Sequence, residues 1–425
     1  MQVESQSADR KSGGQAGALV ALIVLIGAVL AAPALTSRYG FMAFAIVYAV
    51  ALIAWSVARS APLKFGVIVA LAIGLRVAML FSEPRLSGDV FRYLSDGRAI
   101  AAGRNPYTVL PDDPRVPHRE IPTIYPPHAE LLFGLVHWLT PWRLLLIAAD
   151  VIALFLLRRN ALAYALFPPL IFEGAWNGHV DGLAAMLLLV AWTYDSGSAA
   201  AASVGLKLIP LAAIPALLIR SRRRRRFLLT FALVLVLPAI PFLAAGPFMS
   251  GMHEYATRWV FNSPMYDGVF ALVDSLQVAD HLKNIWTAIK DPLRLEFVSR
   301  FVYFHLYSDF LTRCVLAVVA VALIVRFRRS PAASIGALLI CSPALHPWYW
   351  LVLAPFASGV WLWLALCAPF SYLLYAGAPK WVVYALCYLA PLFIAWLPLS
   401  RRGTSIVESP SSATHPRTAP DTPQS

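Results

Sequence analysis

Asp89 stands near the start of a polar stretch, "SGDVFRYLSDGRAIAAGRNPY" (87–107), that follows an apolar run long enough to cross a bilayer. Asp89, Arg92, Tyr93 and Asp96 are spaced i, i+3, i+4 and i+7, which places them on one face of a helix. The stretch is therefore expected to form a short amphipathic helix at the membrane interface. Asp89 could cap this helix or act as a catalytic carboxylate, and its position alone does not decide between the two.

Further ionisable and aromatic residues stand at the mouths of other apolar segments. An ionisable group at bilayer depth costs at least about 2.5–3.5 kcal/mol, so such groups are expected to face a cavity and to have a function. The candidates besides Asp89 are Arg92, Tyr93, Tyr125, His179, Asp181, Lys207, His346 and Trp348. We expect them to converge on one site at the external side of the membrane.

Structural roles remain open for several of these candidates. His179 fits a buried histidine at a helix mouth, and Asp181 could orient it rather than touch a substrate. Lys207 could extend its ammonium group to the membrane interface. Tyr and Trp residues at the ends of membrane spans serve as interfacial anchors as often as they serve as sugar platforms.

The candidate set predicts a particular chemistry. A carboxylate can accept the proton of a hydroxyl group while that hydroxyl attacks a carbon atom. A phosphate leaving group needs no general acid, so the second carboxylate of a glycosidase is unnecessary. Lys and His side chains can neutralise the departing phosphate, and aromatic rings can stack on a sugar. We therefore expect an inverting glycosyl transfer with Asp89 as the general base and the other eight candidates as substrate-binding residues.

The composition defines the broad class. Of 425 residues, 59% are hydrophobic and 13% are charged, which excludes a soluble domain with a charged surface. Backbone polar groups in lipid must be satisfied within each segment, so an all-α polytopic membrane protein is expected. The net charge of +13 is concentrated in runs such as Arg222–Arg226. Such runs mark cytoplasmic loops, and no nucleic-acid partner is expected.

Neither a metal nor a cofactor is expected. The four cysteines, Cys314, Cys341, Cys367 and Cys387, lie in apolar segments without metal-ligand spacing. The acidic pair in "DDP" (112–114) fits a solvated turn, and the "HxD" pair of His179 and Asp181 offers too few ligands for a cation. The sequence thus predicts a metal-independent reaction.

The apolar runs predict about 11 to 13 membrane crossings within residues 16–400, at roughly 20 residues per crossing. Arg59 and Lys64, between the second and third runs, favour a cytoplasmic N-terminus. Segment 83–127 then becomes the first large external loop, and the less apolar segment 246–302 a second one with short helices. The polar segments 1–15 and 401–425 are expected to be disordered and cytoplasmic.

One stretch does not fit a simple crossing. If 199–219 were a full span, the run Arg222–Arg226 would lie outside, against the charge rule. A break near Lys207 and Pro210 would let the chain enter the membrane and return to the cytoplasmic side, as broken helices that line a cavity do. We therefore expect a re-entrant segment here.

Five elements in order resemble the polyprenol-phosphate-mannose-dependent α-mannosyltransferases of glycosyltransferase family 87, within the GT-C superfamily. The elements are "GDVFRYLSDGRAIAAGRNPY", "YPPH", "WNGHVDGLA", "GLKLIPL" and "SPALHPWYW", and they cover roughly residues 63–360.

The resemblance implies a GT-C fold with a catalytic first external loop, and a polyprenyl-phosphate hexose donor, usually mannose. It maps the catalytic aspartate onto Asp89 and a donor contact onto His346, and it matches Lys207 and the pair His179 and Asp181 to positions in the family's motifs. Two apolar spans precede the one that leads to Asp89, where simpler GT-C enzymes have one. The family's second acidic motif is not clear in 246–302, so the acceptor, a lipid or glycan hydroxyl, stays unidentified.

Two other classes of function remain open. A secondary transporter or lipid flippase of envelope glycoconjugate biosynthesis could also line a cavity with Asp, Lys and His side chains. A transporter predicts ionisable groups near the middle of the membrane and internal sequence symmetry. The candidate residues here instead cluster at the external ends of the apolar segments. A non-catalytic assembly protein predicts that Asp89→Asn changes stability alone. The expected location in every case is the inner (plasma) membrane, in contact with its lipids.

Overall fold

The structure is a computed structural model that describes residues 2–243, 248–290 and 292–396; the side chains of residues 2–13 and of residue 159 are outside that description. Within these ranges the secondary structure is helical and contains no strands, apart from an isolated bridge between Phe261 and Ala344. The all-α expectation is thus confirmed for the described part of the chain. The predicted disordered tail, 401–425, lies outside it.

Between residues 2 and 220 the structure has nine α-helices. Their bounds are α1 Gln2–Ala58, α2 Phe65–Met79, α3 Asp89–Ala101, α4 Pro127–Leu135, α5 Leu139–Leu157, α6 Ala161–Ala165, α7 Asp181–Tyr194, α8 Gly197–Leu206 and α9 Ile214–Arg220. A π-helical segment, Leu170–Trp176, precedes α7. Shorter 3₁₀ segments are Arg158–Asn160 and Ile209–Ala213.

Over the described residues from 221 to 396 there are eleven α-helices. They are α10 Arg224–Val236, α11 Ile240–Leu243, α12 Ser250–Arg258, α13 Pro264–Ser275, α14 Val278–Lys290, α15 Glu296–His305, α16 Ser308–Arg326, α17 Pro331–Ile340, α18 Gly359–Cys367, α19 Lys380–Tyr384 and α20 Ala390–Trp396. Between them lie the 3₁₀ segments Leu237–Ala239, Pro347–Leu353 and Ala368–Leu374 and the π-helical segment Ala385–Leu389.

Four helices in the described ranges are long and apolar enough to cross a membrane: Gly14–Ala58, Leu139–Leu157, Arg224–Leu243 and Ser308–Arg326. Seven further apolar helices of 10–17 residues accompany them. The protein is therefore a membrane protein by the length and composition of its helices. The number of crossings stays a prediction.

Helix α1 differs from expectation in one respect. It begins at Gln2, whereas the sequence predicts disorder over 1–15. Residues 2–15 contain no proline that would block the helical hydrogen bonds extending outward from the apolar run, although Gly13 and Gly14 have low helix propensity. The predicted break between the first two apolar runs is present at Gly40, whose φ of 74° and ψ of −163° interrupt the helix.

Buried arginines join the helices near the polar loop 83–127. Arg76 of α2 donates from Nε to Asp150 Oδ2 of α5 at 2.7 Å, and both side chains are almost fully buried. Arg143 of α5 donates to the backbone carbonyls of Ser82 (3.0 Å) and Ala175 (2.8 Å). Such bonds satisfy polar groups that water cannot reach, and they fix the residues just before the loop against the π-helical segment.

The chain between α7 and α10, residues 197–220, runs along α7 and turns back on itself. It starts beside the C-terminal end of α7, and its midpoint Lys207 lies 3.7 Å from Asp181 at the other end of α7. It returns so that Arg220 lies over the ring of Trp192, near the C-terminal end of α7. The turn falls at Lys207, whose extended φ and ψ of −151° and 136° end α8. We call the end of the bundle at Lys207 and Asp181 the loop end, and that at Arg220–Arg226 the basic end.

The segment 246–302 contributes short helices, as expected, and part of it covers the loop end. Tyr255 of α12 shares a hydrogen bond of 2.5 Å with Tyr349. The backbone N–H of Phe261 donates to Pro343 O (3.0 Å), and that of Leu345 donates to Phe261 O (2.8 Å). These contacts join the segment to residues 343–349, and the ring of Trp259 reaches His118 of the loop 83–127 at 4.5 Å.

Candidate active site

A cavity of about 400 Å³ opens at the loop end. Asp89 and Arg92 of α3 line one part of its wall, and Tyr125 another. The residues that complete the lining are Phe41, Leu86, Ser87, Gly88, Pro117, His118, Ile121, Ile124, Tyr255, Trp259, Val260, Phe261, His346, Trp348, Tyr349 and Tyr375. Five of the nine predicted site residues therefore share one cavity: Asp89, Arg92, Tyr125, His346 and Trp348.

The Asp89 carboxylate is half-buried in this wall and does not cap its helix. Gly88 occupies the N-cap position, and Asp89 is the first helical residue, with its backbone N–H donating to Ser87 Oγ at 3.2 Å. The hydroxyl of Tyr125 donates to Asp89 Oδ2 at 3.4 Å. The carboxylate is thus left for contact with whatever enters the cavity.

The surroundings of Asp89 act on its pKa in two directions. Burial raises the pKa above its ordinary value, because it disfavours the charged form. The nearby charges of Lys207 and Arg92 and the hydrogen bond from Tyr125 oppose this rise. The net effect is a raised pKa, and therefore a more basic carboxylate than an exposed aspartate.

Tyr93 lies behind the cavity wall. Its ring is fully buried, stacked on Phe133 with centroids 4.6 Å apart, and its hydroxyl lies 3.4 Å from that of Tyr125. Helix α3 as a whole is buried on most sides, so it does not lie on the membrane surface as an amphipathic helix would. The reason is its close contact with α4, where Gly97 faces the backbone of Phe133.

Arg92 lines the cavity, but its guanidinium donates hydrogen bonds to the backbone of the loop 117–121. Its guanidinium donates to the carbonyls of Pro117 (2.8 Å), His118 (2.7 Å) and Ile121 (3.2 Å). His118 has a φ of 53°, a conformation that costs energy for a residue other than glycine and needs support from its surroundings. Arg92 therefore holds the loop 117–121 in place beside Asp89.

Lys207 and Asp181 form an ion pair just beyond the cavity. The ammonium nitrogen lies 3.7 Å from Asp181 Oδ1, with the lysine side chain 12% exposed and the aspartate fully buried. The same nitrogen lies over the ring of Tyr349 at 4.5 Å and over that of Tyr125 at 5.2 Å. These rings stabilise the cation through their π faces. Lys207 thus adds positive charge directly behind two residues of the cavity wall.

His179, Trp348 and His346 form a continuous stack of parallel rings. The centroids of His179 and Trp348 are 4.0 Å apart, and those of Trp348 and His346 are 4.5 Å apart. Phe261 covers the other face of His346 at 4.5 Å. Both faces of Trp348 are therefore occupied, so it cannot offer a flat face to a sugar. His179 is completely buried behind it.

The sequence-based candidates missed several residues of the wall. Tyr349 directly follows a predicted residue, and its place in "HPWYW" was a usable signal. Tyr255, Trp259 and Phe261 come from a different loop, and no spacing in the sequence connects them to Asp89. Glu173 is also missed as a candidate: it is fully buried, accepts from Tyr372 at 2.9 Å, and lies 3.6 Å from His179.

Comparisons with protein families, with curated proteins and with solved structures found no match to this chain. Over the residues that the structure describes, the fold and the site define a class: an all-helical membrane protein with a cavity at one end of its bundle, lined by a carboxylate, an arginine, two histidines and aromatic rings. Within the described ranges, no three His, Cys, Asp or Glu side chains are grouped so that they could hold a metal ion.

Proposed function

We propose that this protein is an inverting glycosyltransferase that moves a hexose from a polyprenyl-phosphate donor to a hydroxyl of a lipid or glycan. The observation that carries the proposal is the Asp89 carboxylate, half-buried in the wall of a cavity of about 400 Å³ and free of a capping role. That volume lies within the range of small-molecule sites. Mannose is the sugar that the motif resemblance implies.

In the proposed reaction, Asp89 removes the proton of the acceptor hydroxyl. The hydroxyl oxygen forms a bond to the anomeric carbon while the bond from that carbon to the phosphate oxygen breaks. The electron pair of the broken bond leaves with the polyprenyl phosphate, and the proton remains on Asp89. The raised pKa of Asp89 suits this role, because a more basic carboxylate accepts the proton more readily.

Positive charge for the leaving phosphate comes from Lys207, which lies behind Tyr125 and Tyr349. Trp348 and Phe261 cover the two faces of the His346 ring, so only its edge is available to a ligand in the cavity. Trp348 Nε1 and His346 Nδ1 have no hydrogen-bond partner in the described part of the chain. Buried polar atoms without partners cost energy unless a ligand satisfies them, so these two atoms of the cavity lining support a polar substrate such as a sugar phosphate.

The proposed location is the inner membrane, with the loop end facing the periplasm or exterior. The basic end then lies at the cytoplasmic face, because runs of arginine are retained on that side. Arg220 and Arg222 lie together at that end, opposite Lys207. This arrangement supports the topology expected for an enzyme that takes its donor from the outer leaflet.

A lipid flippase or transporter is a second candidate. The buried Lys207–Asp181 pair at the turn of a re-entrant segment favours it, since broken helices with ionisable residues also build transport sites. That function requires movement of the substrate across the membrane without chemical change. It is therefore separable from group transfer by experiment.

The test is a reconstituted assay in proteoliposomes with labelled polyprenyl-phosphate mannose and a membrane lipid extract. Wild-type protein is expected to form a labelled product of inverted anomeric configuration, and Asp89→Asn is expected to lose at least about 100-fold in rate. Asp112→Asn, a change to an exposed carboxylate of the same loop, serves as the matched control and should retain activity. Equal product from Asp89→Asn would refute the assignment of the base. Movement of the donor across the bilayer without product would favour the flippase.

A further inference from the structure

A second cavity lies at the basic end, on the opposite side of the bundle from Asp89. Its volume is about 400 Å³. The end of α7 and the start of α8 form one side, and the start of α10 forms the other. The lining residues are Tyr194, Asp195, Ser196, Gly197, Ser198, Arg222, Arg223, Arg226, Phe227 and Thr230. We call this the basic cavity.

The charge of the basic cavity is mostly uncompensated. Arg222, Arg223 and Arg226 are exposed, and within the described ranges none of their side chains forms an ion pair. Asp195 is the one carboxylate of the lining, and its Oδ2 accepts the backbone N–H of Arg222 at 3.1 Å. Three arginines against one aspartate leave a charge of 3 − 1 = +2 around the cavity.

Two helix N-termini add to this positive potential. Helix α8 begins at Gly197 and α10 at Arg224, and neither has an acidic residue in its first turn. The N-terminus of a helix carries a partial positive charge, so arginines in the first turn of α10 oppose its dipole. Arginine side chains beside a positive helix N-terminus are unfavourable unless an anion lies close by.

The start of α8 packs very closely on the first turns of α10. A Cβ atom on Gly197 would lie 2.1 Å from the carbonyl oxygen of Phe227 and 2.4 Å from Thr230 Oγ1. Only glycine therefore lets the start of α8 approach the first turn of α10. The approach places the exposed residue Ser198 in the same cavity as the three arginines.

We propose that the basic cavity binds the phosphate group of an anionic phospholipid. Arginine recognises phosphate through paired, charge-assisted hydrogen bonds, and helix N-termini are general phosphate sites. Helix α10 indicates that the phosphate belongs to a lipid. The apolar stretch Arg224–Leu243 starts at the cavity, and of its 18 most apolar consecutive residues only 11% are buried within the protein. A phospholipid whose chains lie along α10 has its headgroup at the height of the cavity. The bound phosphate would connect α10 to the base of the segment that carries Lys207.

The experiment uses the full-length protein in phosphatidylcholine nanodiscs. Binding of phosphatidylglycerol is measured by native mass spectrometry, with inorganic phosphate titrated in a separate arm. Wild type is expected to retain phosphatidylglycerol in preference to phosphatidylcholine, and millimolar inorganic phosphate is expected to compete only weakly. Inorganic phosphate that binds as tightly as the lipid would overturn the lipid source. Equal retention of both lipids would overturn the site.

Two pairs of variants test the location. Replacing Arg222, Arg223 and Arg226 with Gln should weaken phosphatidylglycerol binding by roughly 10- to 100-fold. The same change at Arg326, Arg328 and Arg329 removes equal charge outside the lining and should cost less than about threefold. Equal losses from the two triple variants would mean diffuse attraction to anionic lipid and would refute the site.

The second pair guards against misfolding of the triple variant. Ser198→Glu places a fixed anion in the cavity at the N-terminus of α8, where a carboxylate also stabilises the helix. It should reduce lipid binding as strongly as the triple variant, while thermal stability is maintained or raised. Ser198→Gln has nearly the same shape without the charge and should bind lipid as wild type does. Undiminished binding by Ser198→Glu would contradict the proposal.

Discussion

The hydroxyl of Tyr125 donates to the carboxylate of Asp89 across 3.4 Å, although 36 residues separate them in the chain. Asp89 is the first residue of α3, and Tyr125 immediately precedes the two prolines at the start of α4. The packing of α3 on α4 therefore decides whether this bond forms. Because the bond stabilises the charged carboxylate, it also lowers the pKa that burial has raised.

The first prediction concerns the pH dependence of the proposed transfer. A base must be unprotonated, so the rate should fall as pH decreases through the raised pKa of Asp89. Tyr125→Phe removes one group that lowers this pKa, and the acidic limb of the pH–rate profile should move to higher pH. Tyr255→Phe is the control, because its hydroxyl bonds Tyr349 rather than Asp89. Initial rates across the pH range decide the matter, and an unmoved limb in Tyr125→Phe would contradict the assigned contact.

The second prediction concerns the buried ion pair. Lys207→Met leaves the fully buried Asp181 without its cation, which should lower the free energy of unfolding by about 3 kcal/mol. The double variant Lys207→Met/Asp181→Asn has no charge left unpaired and should recover most of that loss. Denaturant titration in detergent measures the double variant and both single variants, Lys207→Met and Asp181→Asn. Additive effects of the two single changes would argue against the pair.

Hydropathy alone was enough to predict that the described part of the chain is all-helical and carries several apolar helices. The sequence also predicted that the chain turns back near Lys207, because the charge rule places the arginine run on the side where α7 ends. The contacts agree: Lys207 lies beside Asp181 at the start of α7, and Arg220 lies over Trp192 near its end. A different argument selected the polar candidates: ionisable groups beside apolar runs are costly and therefore few, and five of the nine candidates share the cavity.

The rest depended on packing, which hydropathy does not encode. The covered faces of Trp348 follow from where His179 and His346 lie in three dimensions, and no spacing predicts that stack. The burial of α3 follows from its contact with α4, although its charged residues suggest a surface helix. Tyr255 reaches the cavity through a loop whose position depends on backbone bonds between Phe261 and the segment before His346.

The third prediction concerns the loop that Arg92 holds. Lysine presents a single ammonium group and cannot reproduce the planar, multiply bonding guanidinium, so Arg92→Lys should release the loop 117–121. The exposed Arg119 then becomes a faster site of trypsin cleavage. Limited proteolysis followed by mass spectrometry measures the change, and we expect an increase of about tenfold or more from the loss of several bonds. Arg98→Lys, a change to a half-exposed residue of the same helix, should have little effect.

The fourth prediction concerns the contact that positions Asp89. Glycine to alanine within a helix ordinarily stabilises it by up to about 1 kcal/mol. At Gly97 the added Cβ would lie 2.2 Å from the carbonyl oxygen of Phe133, so α3 must move away from α4. Gly97→Ala should therefore destabilise the protein by about 2 kcal/mol. It should also reduce the rate of transfer, because a shift of α3 away from α4 separates Asp89 at the start of α3 from Tyr125 just before α4. Gly74→Ala, at an exposed position of α2 with nothing within 4 Å of the added atom, is the matched control and should be neutral or stabilising. Thermal unfolding of both variants measures the difference, and equal stability would mean that α3 and α4 are not in close contact at Gly97.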